Sequence, residues 1–435
     1  MPDEIIAFGT TGAIRVDDFL AEAVALSNRL PTHSYAINLF TDRYQYLLGF
    51  CATIIAGQCT LMPPNKLAST LALLAELFPD SYTLGDSTLS DDEISRNMPR
   101  SEPSGEFYQS VPEVPVKQLC AIAFTSGSTG TPTPNLKYWE TLRTGSLGDK
   151  ELLFGKLQGQ LNMLATVPPQ HMWGLETSIL APLFANVAIS HLAPFYPQDI
   201  ADALESLPGP RALISSPAHL NVLLKSGVQL TELDWIFSAT APLSEGLAKS
   251  LEMQYNAHVL EVFGCSESGI LASRNTATET LWLLSDLFEF ESGKEGVLIR
   301  GRHLPEDVIL PDAVELFGDH QFRWLGRHQD MINIAGNRGS LTDLNRRLAA
   351  IPGVVDGVIF VPESSPDRLA AMVVAPKLKP ADILGELKPQ IEPVFLPRPI
   401  YMISALPRQE TGKLARKAIL DLFEKTRRTR KPGNG

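Results

Sequence analysis

The sequence predicts an α/β protein, with a large N-terminal α/β domain and a small α+β domain behind it. Three observations lead there. Residues 35–39 and 61–63 carry short strand patterns and residues 43–57 between them a helical one, and strand–helix–strand alternation builds parallel sheet. The alternation returns with a strand at 212–215, a helix at 218–224 and a strand at 235–239. Near the C-terminus, strand patterns at 354–361, 369–374 and 400–403 are interleaved with helical ones at 343–348 and 384–391, which is the pattern of a compact α+β unit. The 435 residues leave room for one large domain and a small one.

Taken in order, residues 16–30 have helical apolar spacing, with Asp17 or Asp18 placed to cap the helix. The helical stretch 43–57 is dense in apolar residues on both faces. Residues 85–117 are rich in Asp, Ser, Glu and Pro and read as a surface connection. The apolar run 119–124 reads as a buried strand, and 164–167 as another.

Composition sets limits. The apolar stretch at 47–56 is broken by glycine and polar residues, far from the roughly 20 apolar residues that cross a bilayer. Met1-Pro2-Asp3-Glu4 is acidic and unlike a signal peptide. Cys51, Cys59, Cys120 and Cys265 form no CxxC pair, so reduced thiols and a cytoplasmic setting are expected, with no membrane span and no nucleic-acid partner. The net charge of −12 is unevenly spread: from Arg327 onward the balance is +7, and before it −19. A basic segment on an acidic chain could attract an acidic partner; the tail from Lys425 to Lys431 taken alone reads as a solvated end.

The run 119–124 opens into Thr125-Ser126-Gly127-Ser128-Thr129-Gly130-Thr131-Pro132. Glycines let backbone approach a ligand closely. Successive N–H groups and hydroxyls in such a turn suit a polyphosphate. The spacing is not that of a Walker A loop, and a plain polar loop would look similar. Later segments are weaker alone. Pro168-Pro169-Gln170-His171-Met172-Trp173-Gly174 could wall a pocket or bury a satisfied histidine. Ser238-Ala239-Thr240-Ala241-Pro242-Leu243 could be any strand-to-helix turn. In Val259-Leu260-Glu261-Val262-Phe263-Gly264-Cys265-Ser266-Glu267, a β-branched run ends in an aromatic, a glycine and a carboxylate. Leu406-Pro407-Arg408-Gln409-Glu410-Thr411-Gly412-Lys413-Leu414-Ala415-Arg416 places a lysine beside glycine.

Together, in this order and spacing, these segments resemble the adenylate-forming superfamily, which comprises acyl- and aryl-CoA synthetases, peptide-synthetase adenylation domains and luciferases. Six segments between Thr125 and Lys413 carry the resemblance. It implies a large domain over 1–325 that binds ATP and the acid, and a small mobile domain over 326–435 that carries the catalytic lysine. It implies that Thr125, Ser126, Gly127, Ser128, Thr129 and Gly130 hold ATP phosphates, and that Glu267 with Thr125 holds Mg²⁺. Phe263 would stack on adenine, with Gly264, Ser266 and the Ala241 turn beside it. Asp312 lies fourteen positions before Gly326 and would bind ribose, with Arg327 near ribose or phosphate. His171, Trp173 and Ala239 would face the carboxylic acid, Gln329 or Asp330 would be the hinge, and Gly336 would belong to the loop that meets the thiol. Lys413 would contact the attacking carboxylate and the α-phosphate, a task that suits a point ammonium between two anions. The chain departs from the family at Thr133, where a lysine is usual, and at Leu310-Pro311, where Thr-Gly is usual.

The activity so implied has two steps: a carboxylate is adenylated by ATP, and the acyl group then passes to a thiol. The sequence leans to an aryl acid and to an acyl carrier protein over free CoA. Two other classes stay open. One is a catalytically impaired binding member of the same fold, and the other is a dinucleotide-binding oxidoreductase. The second lacks a G-x-G-x-x-G after an early strand.

Overall fold

The structure is a computed structural model, and it describes residues 4–86, 111–125, 133–155, 159–293, 296–327, 331–334, 337–365, 368–408 and 414–429. The fold class is the one the sequence predicts, α/β with a large sheet-rich domain and a smaller C-terminal domain. The chain forms two compact units: Met1–Glu291 with Ile299–Val308 and Gly318–Gln321, and Ser292–Leu298 with Ile309–Phe317 and Phe322–Gly435.

In the first unit, one sheet runs in the order Ser81–Leu84, Tyr35–Asn38, Cys59–Met62, Leu119–Thr125, Thr133–Tyr138. The first four strands are parallel, and the last closes an antiparallel hairpin in which Thr125 faces Thr133. A second sheet runs Trp282–Leu284, Gly269–Arg274, His258–Cys265, Trp235–Ser238, Arg211–Ser215, Leu161–Ala165, Val187–Ser190, Ile5–Gly9, Gly12–Arg15. Its central strands, from His258–Cys265 through Leu161–Ala165, are parallel. Their interior residues are buried on both faces, so they read as apolar runs without alternation. The helix Arg43–Ile55 is buried on both faces, as its sequence requires, and Asp42 caps it by accepting from the Gln45 amide at 2.9 Å. Such a cap contributes about 1 kcal/mol.

The second unit holds a three-stranded sheet of Asp356–Phe360, Ala370–Val374 and Ile400–Met402. Leu344 and Leu348 of the helix Leu341–Ala349, and Ile383 and Leu387 of the helix Pro380–Leu387, join its core. The helix Arg416–Thr429 packs Ile419 and Phe423 into a second apolar cluster with Phe360, Ala370 and Met372.

Two local expectations are corrected. The first long helix is Val16–Ser27, and its N-cap is Arg15, with no side-chain cap; Asp17 and Asp18 sit inside the first turn, where a carboxylate favours the helix N-terminus. The helical segment expected at 384–391 is Pro380–Leu387. It begins earlier because Pro380, with no amide hydrogen to place, suits the first position. Asp382 also accepts from the Lys379 amide at 2.7 Å. The segment 85–117 falls largely outside the described residues. All four cysteines are free thiols, and among the described residues no helix is long and apolar enough to cross a membrane.

Candidate active site

In an open parallel sheet, ligands bind beyond the carboxyl ends of the strands. The strands Leu161–Ala165, Arg211–Ser215, Trp235–Ser238 and His258–Cys265 end at that edge, and each is followed by one of the predicted segments or by a polar side chain. Thr166 Oγ1 lies 2.8 Å from Ser215 Oγ and 3.4 Å from His219 Nδ1. Burial holds the His219 imidazole below its ordinary range, so it is neutral at pH 7. Phe195 meets that ring edge-on at 5.3 Å.

The His171 segment follows the first of these strands. His171 stands at the N-terminal end of the short turn Met172–Leu175, with no side-chain cap to it, and is half-buried. Trp173 is buried in the main core, and its Nε1 donates to the Ser215 carbonyl at 3.2 Å. Its indole therefore backs the strand ends from inside the core. Gly174 is required by packing, since a Cβ there would sit 2.0 Å from the Pro168 carbonyl oxygen.

Arg43, which the sequence marks only as the start of a helix, holds this segment in place. Its guanidinium donates to Ser178 Oγ at 2.6 Å and to the carbonyls of Ala165 and Val167 at 2.8 and 2.9 Å.

In the next turn Ala239 is buried, while Thr240 and Ala241 are exposed. Thr240 holds φ at +79°. A β-branched residue in that region is an outlier, and such strain costs on the order of 1–3 kcal/mol. Thr240→Gly is expected to stabilise the protein by about 1 kcal/mol in a urea melt, after the added freedom of glycine in the unfolded chain is discounted. A loss of stability would show that the Thr240 side chain holds the turn. The turn is also tied sideways: Glu261 accepts from the Leu243 amide at 2.7 Å and pairs with Arg274 at 2.7 Å, and Thr276 Oγ1 donates to it at 2.6 Å.

The strand His258–Cys265 turns back into Gly269–Arg274, with a register irregularity between Phe263 and Gly264. Gly264 is needed there, because a Cβ would come within 2.4 Å of the Gly269 carbonyl oxygen. Phe263 is half-buried, its ring tilted against Trp282 at 5.4 Å. Ser266 is half-buried and Glu267 exposed at the tip of this turn. Cys265 lies 3.0 Å from Ser268 Oγ, and burial pushes its thiol up to about 11, away from nucleophilic use.

Beneath the Glu267 turn sits a group of charges that sequence reasoning misses. Lys137 is 2% exposed, and its ammonium donates to the carbonyls of Ser266 at 2.5 Å and Glu267 at 3.1 Å. Glu176 accepts from the Ile270 amide at 3.1 Å, and Gly269 makes room for it. Burial pushes Glu176 up to about 7, against the pull of Lys137 and of the Ile270 amide. Burial, followed by the nearby Glu176, also pushes the Asp149 carboxyl well above the usual range. Burial lowers the Lys137 ammonium, with Glu176 opposing. A cavity of about 20 Å³ separates these groups, lined also by Thr141, Ser146 and Ser268.

Thr125 ends its strand and faces Thr133 across the hairpin, while Ser126, Gly127, Ser128, Thr129 and Gly130 lie outside the described residues. The remaining predicted residues belong to the second unit. Asp312 is buried and accepts from Trp324 Nε1 at 2.8 Å. Arg327 ends the strand Gln321–Arg327. Gln329, Asp330, Gly336 and Lys413 lie outside the described residues. The segment with Lys413 is flanked by an antiparallel bridge between Arg408 and Leu414, and Arg408 pairs with Asp356 at 2.7 Å.

Among the described residues no cluster of three or more His, Cys, Asp or Glu could cage a metal ion. The donor set at the turn is one exposed carboxylate, Glu267. That suits Mg²⁺, which takes one or two carboxylates and completes its shell with phosphate and water.

The hairpin Leu119–Thr125/Thr133–Tyr138 closes one sheet, and the His171 segment and the Glu267 turn follow strands of the other. The sequence model of the family described as AMP-binding enzyme matches residues 52–286, more than half of the chain. The chain belongs to that family, within the adenylate-forming superfamily of acid:thiol ligases. VraA of Staphylococcus haemolyticus, provisionally named a long chain fatty acid–CoA ligase, is 22% identical over 335 residues, covering 72% of each chain. A 4-coumarate–CoA ligase of Halorhodospira halophila is 28% identical over 301 residues, covering 67% of this chain and 73% of the relative. Among solved structures, ATP-bound MatB from Rhodopseudomonas palustris matches with a TM-score of 0.79 at 18% identity, covering 98% of this chain and 97% of that one.

Proposed function

We propose that this protein is an ATP-dependent acid:thiol ligase. It converts a carboxylic acid to an acyl-adenylate and transfers the acyl group to a phosphopantetheine thiol. The observation that carries the reading is the set of hydrogen bonds joining three of the segments: Lys137 to the Glu267 turn, Glu176 to Ile270, and Trp173 to Ser215.

In the first step a carboxylate oxygen bonds to the α-phosphorus of ATP, and the bond to the bridging oxygen of pyrophosphate breaks. The loop from Thr125 to Gly130 cradles the phosphates with backbone N–H groups and hydroxyls. Glu267 and Thr125 would hold Mg²⁺, which neutralises phosphate charge when bound. Lys413, on a small domain beginning near Gly326, places its ammonium between the two anions. Phe263 offers a flat face to adenine, beside Gly264, Ser266 and Ala241, and Asp312 with Arg327 offers a carboxylate and a cation to ribose. His171 and Ala239 face the acid. In the second step the thiol sulfur bonds to the acyl carbon and AMP leaves. A turn about Gln329 or Asp330 would exchange Lys413 for the Gly336 loop between the steps.

The acid we favour is aryl. The predicted acid-side segment carries two ring side chains, the half-buried His171 and the buried Trp173, and a relative carries the name 4-coumarate–CoA ligase. The acceptor we favour is a carrier protein, because the residues from Arg327 onward carry a balance of +7 and carrier proteins are generally acidic. One observation favours free CoA instead. Arg346 and Arg347 both pair with Asp343, at 2.6 and 2.7 Å, and Arg408 pairs with Asp356, so part of that charge is already matched. The free thiols fit a cytoplasmic setting.

The test is acid-dependent pyrophosphate exchange over a panel of aryl and alkyl acids. It is followed by thioester yield with holo carrier protein against CoA at equal thiol concentration. Exchange with no acid would overturn the ligase reading, and a better yield with CoA would overturn the carrier.

A further inference from the structure

The family's usual phosphate-loop lysine is absent at Thr133, yet the same hairpin carries a lysine four residues on, and it points inward. Along Thr133–Tyr138 the alternation is inverted: Leu136 is 43% exposed and Lys137 is 2% exposed. Burying an ammonium is costly unless it is paired and hydrogen-bonded. Here it finds two carbonyl oxygens, those of Ser266 and Glu267, with the Glu176 carboxylate near enough to act on its charge. Among the described residues it makes no ion pair within 4 Å, so its direct partners are the two carbonyls. Both belong to the turn that presents Glu267.

The other end of that turn is held from a second direction. Glu176, on the helical segment that follows His171, accepts from the Ile270 amide at 3.1 Å. Gly269, at φ +83°, is the position where a Cβ would strike Glu176 Oε1 at 2.4 Å. The turn is thus clamped between an ammonium from the phosphate-loop hairpin and a carboxylate from the acid-side helix. Thr141 Oγ1, at the base of the same cavity, donates to the His303 carbonyl at 2.8 Å and fixes the helix that follows the hairpin.

We propose that Lys137 is a positioning residue for the nucleotide–Mg²⁺ site: it fixes the Ser266–Glu267 backbone so that the Glu267 carboxylate is presented to the metal, and it ties that carboxylate to the phosphate-loop hairpin. The proposal rests on the ligase reading above. It explains how the hairpin keeps a lysine tied to the phosphate site although Thr133 has none. The ammonium acts from behind the turn, through the backbone, and never touches the substrate.

The experiment measures ATP binding to the full chain by calorimetry, with no acid present, as Mg²⁺ is titrated. Lys137→Met keeps the length of the side chain and removes the ammonium. The Mg²⁺ concentration giving half-maximal ATP binding is expected to rise about ten-fold, with Glu267→Gln as the reference for a lost carboxylate. Lys137→Met also leaves Glu176 without its counter-charge, so Lys137→Met/Glu176→Gln is measured beside it. The double variant is expected to recover thermal stability but not the Mg²⁺ midpoint, whereas Lys137→Arg is expected to recover part of the midpoint. A stabilising role alone predicts that midpoint and melting temperature recover together, and that result would overturn the proposal. So would a wild-type midpoint in either Met variant. If wild-type protein itself binds ATP with no response to Mg²⁺, the ligase reading falls and the proposal with it. A responsive wild type and an equally responsive double variant would sink the proposal alone.

Discussion

Lys413→Ala is expected to lower acid-dependent pyrophosphate exchange by about 10²–10³-fold, the loss typical when one donor to developing transition-state charge is removed. The first step brings a carboxylate against a phosphate, so negative charge accumulates between two anions. A point ammonium with free rotation satisfies both, and a planar guanidinium matches that geometry less well. Lys413→Arg should therefore retain only part of the activity. The expected signature is a split between the two steps. Thioester formation from supplied acyl-adenylate needs no attack on phosphorus, so it should proceed in the Ala variant at a rate within a few-fold of wild type. The flanks of the segment are held by the Arg408–Leu414 bridge and the Arg408–Asp356 ion pair, which do not involve the Lys413 side chain. The variant should accordingly melt like wild type. Exchange that survives the substitution unchanged would remove Lys413 from the mechanism.

Much of the fold is written locally in the chain. The parallel strands of the first unit are apolar runs closed by small or polar residues, and those closures are where the predicted segments fall. The turn at Gly264 is legible only through the order and spacing of the segments around it, because a glycine and a carboxylate after a strand read alone as a surface loop; the close approach of Gly269 supplies the packing reason for the glycine. Lys137 is not legible. A strand reading Leu136-Lys137-Tyr138 at the end of a hairpin suggests an exposed lysine, and only pairing with Leu119–Thr125 decides which face turns inward. Its partners lie 129 and 130 residues away in sequence. Glu176 is hidden for a different reason. It opens the π-helical turn Glu176–Leu180, whose extra residue per turn shifts the phase of the helix, so a 3.6-residue period does not place it. Arg43 reads as the first residue of an apolar helix, and nothing near it in sequence announces three acceptors more than a hundred residues away.

Arg43→Met is the substitution expected to cost the most stability, about 3 kcal/mol in a denaturant melt. Arg43 is 1% exposed, and burial lowers its guanidinium to about 10, so its surroundings do not favour the charge as such. Replacing it by a flexible apolar chain of similar length relieves that desolvation. Against this stands the loss of three charge-assisted hydrogen bonds, to Ser178 Oγ and to the carbonyls of Ala165 and Val167. Each bond of that kind is worth about 1.5–3 kcal/mol, and each orphaned buried carbonyl costs about 1–3 kcal/mol, so the losses outweigh the relief. The effect should also be directional. Ala165 and Val167 bracket the end of the strand that leads into His171, and Ser178 lies in the helical segment behind it. Loosening both flanks should raise KM for the acid several-fold while KM for ATP moves less, since the strand carrying Thr125 receives none of these bonds. A melt within 1 kcal/mol of wild type would mean that water or a shifted backbone replaces the guanidinium. An equal rise in both KM values would mean that Arg43 supports the whole sheet edge and not the His171 segment in particular.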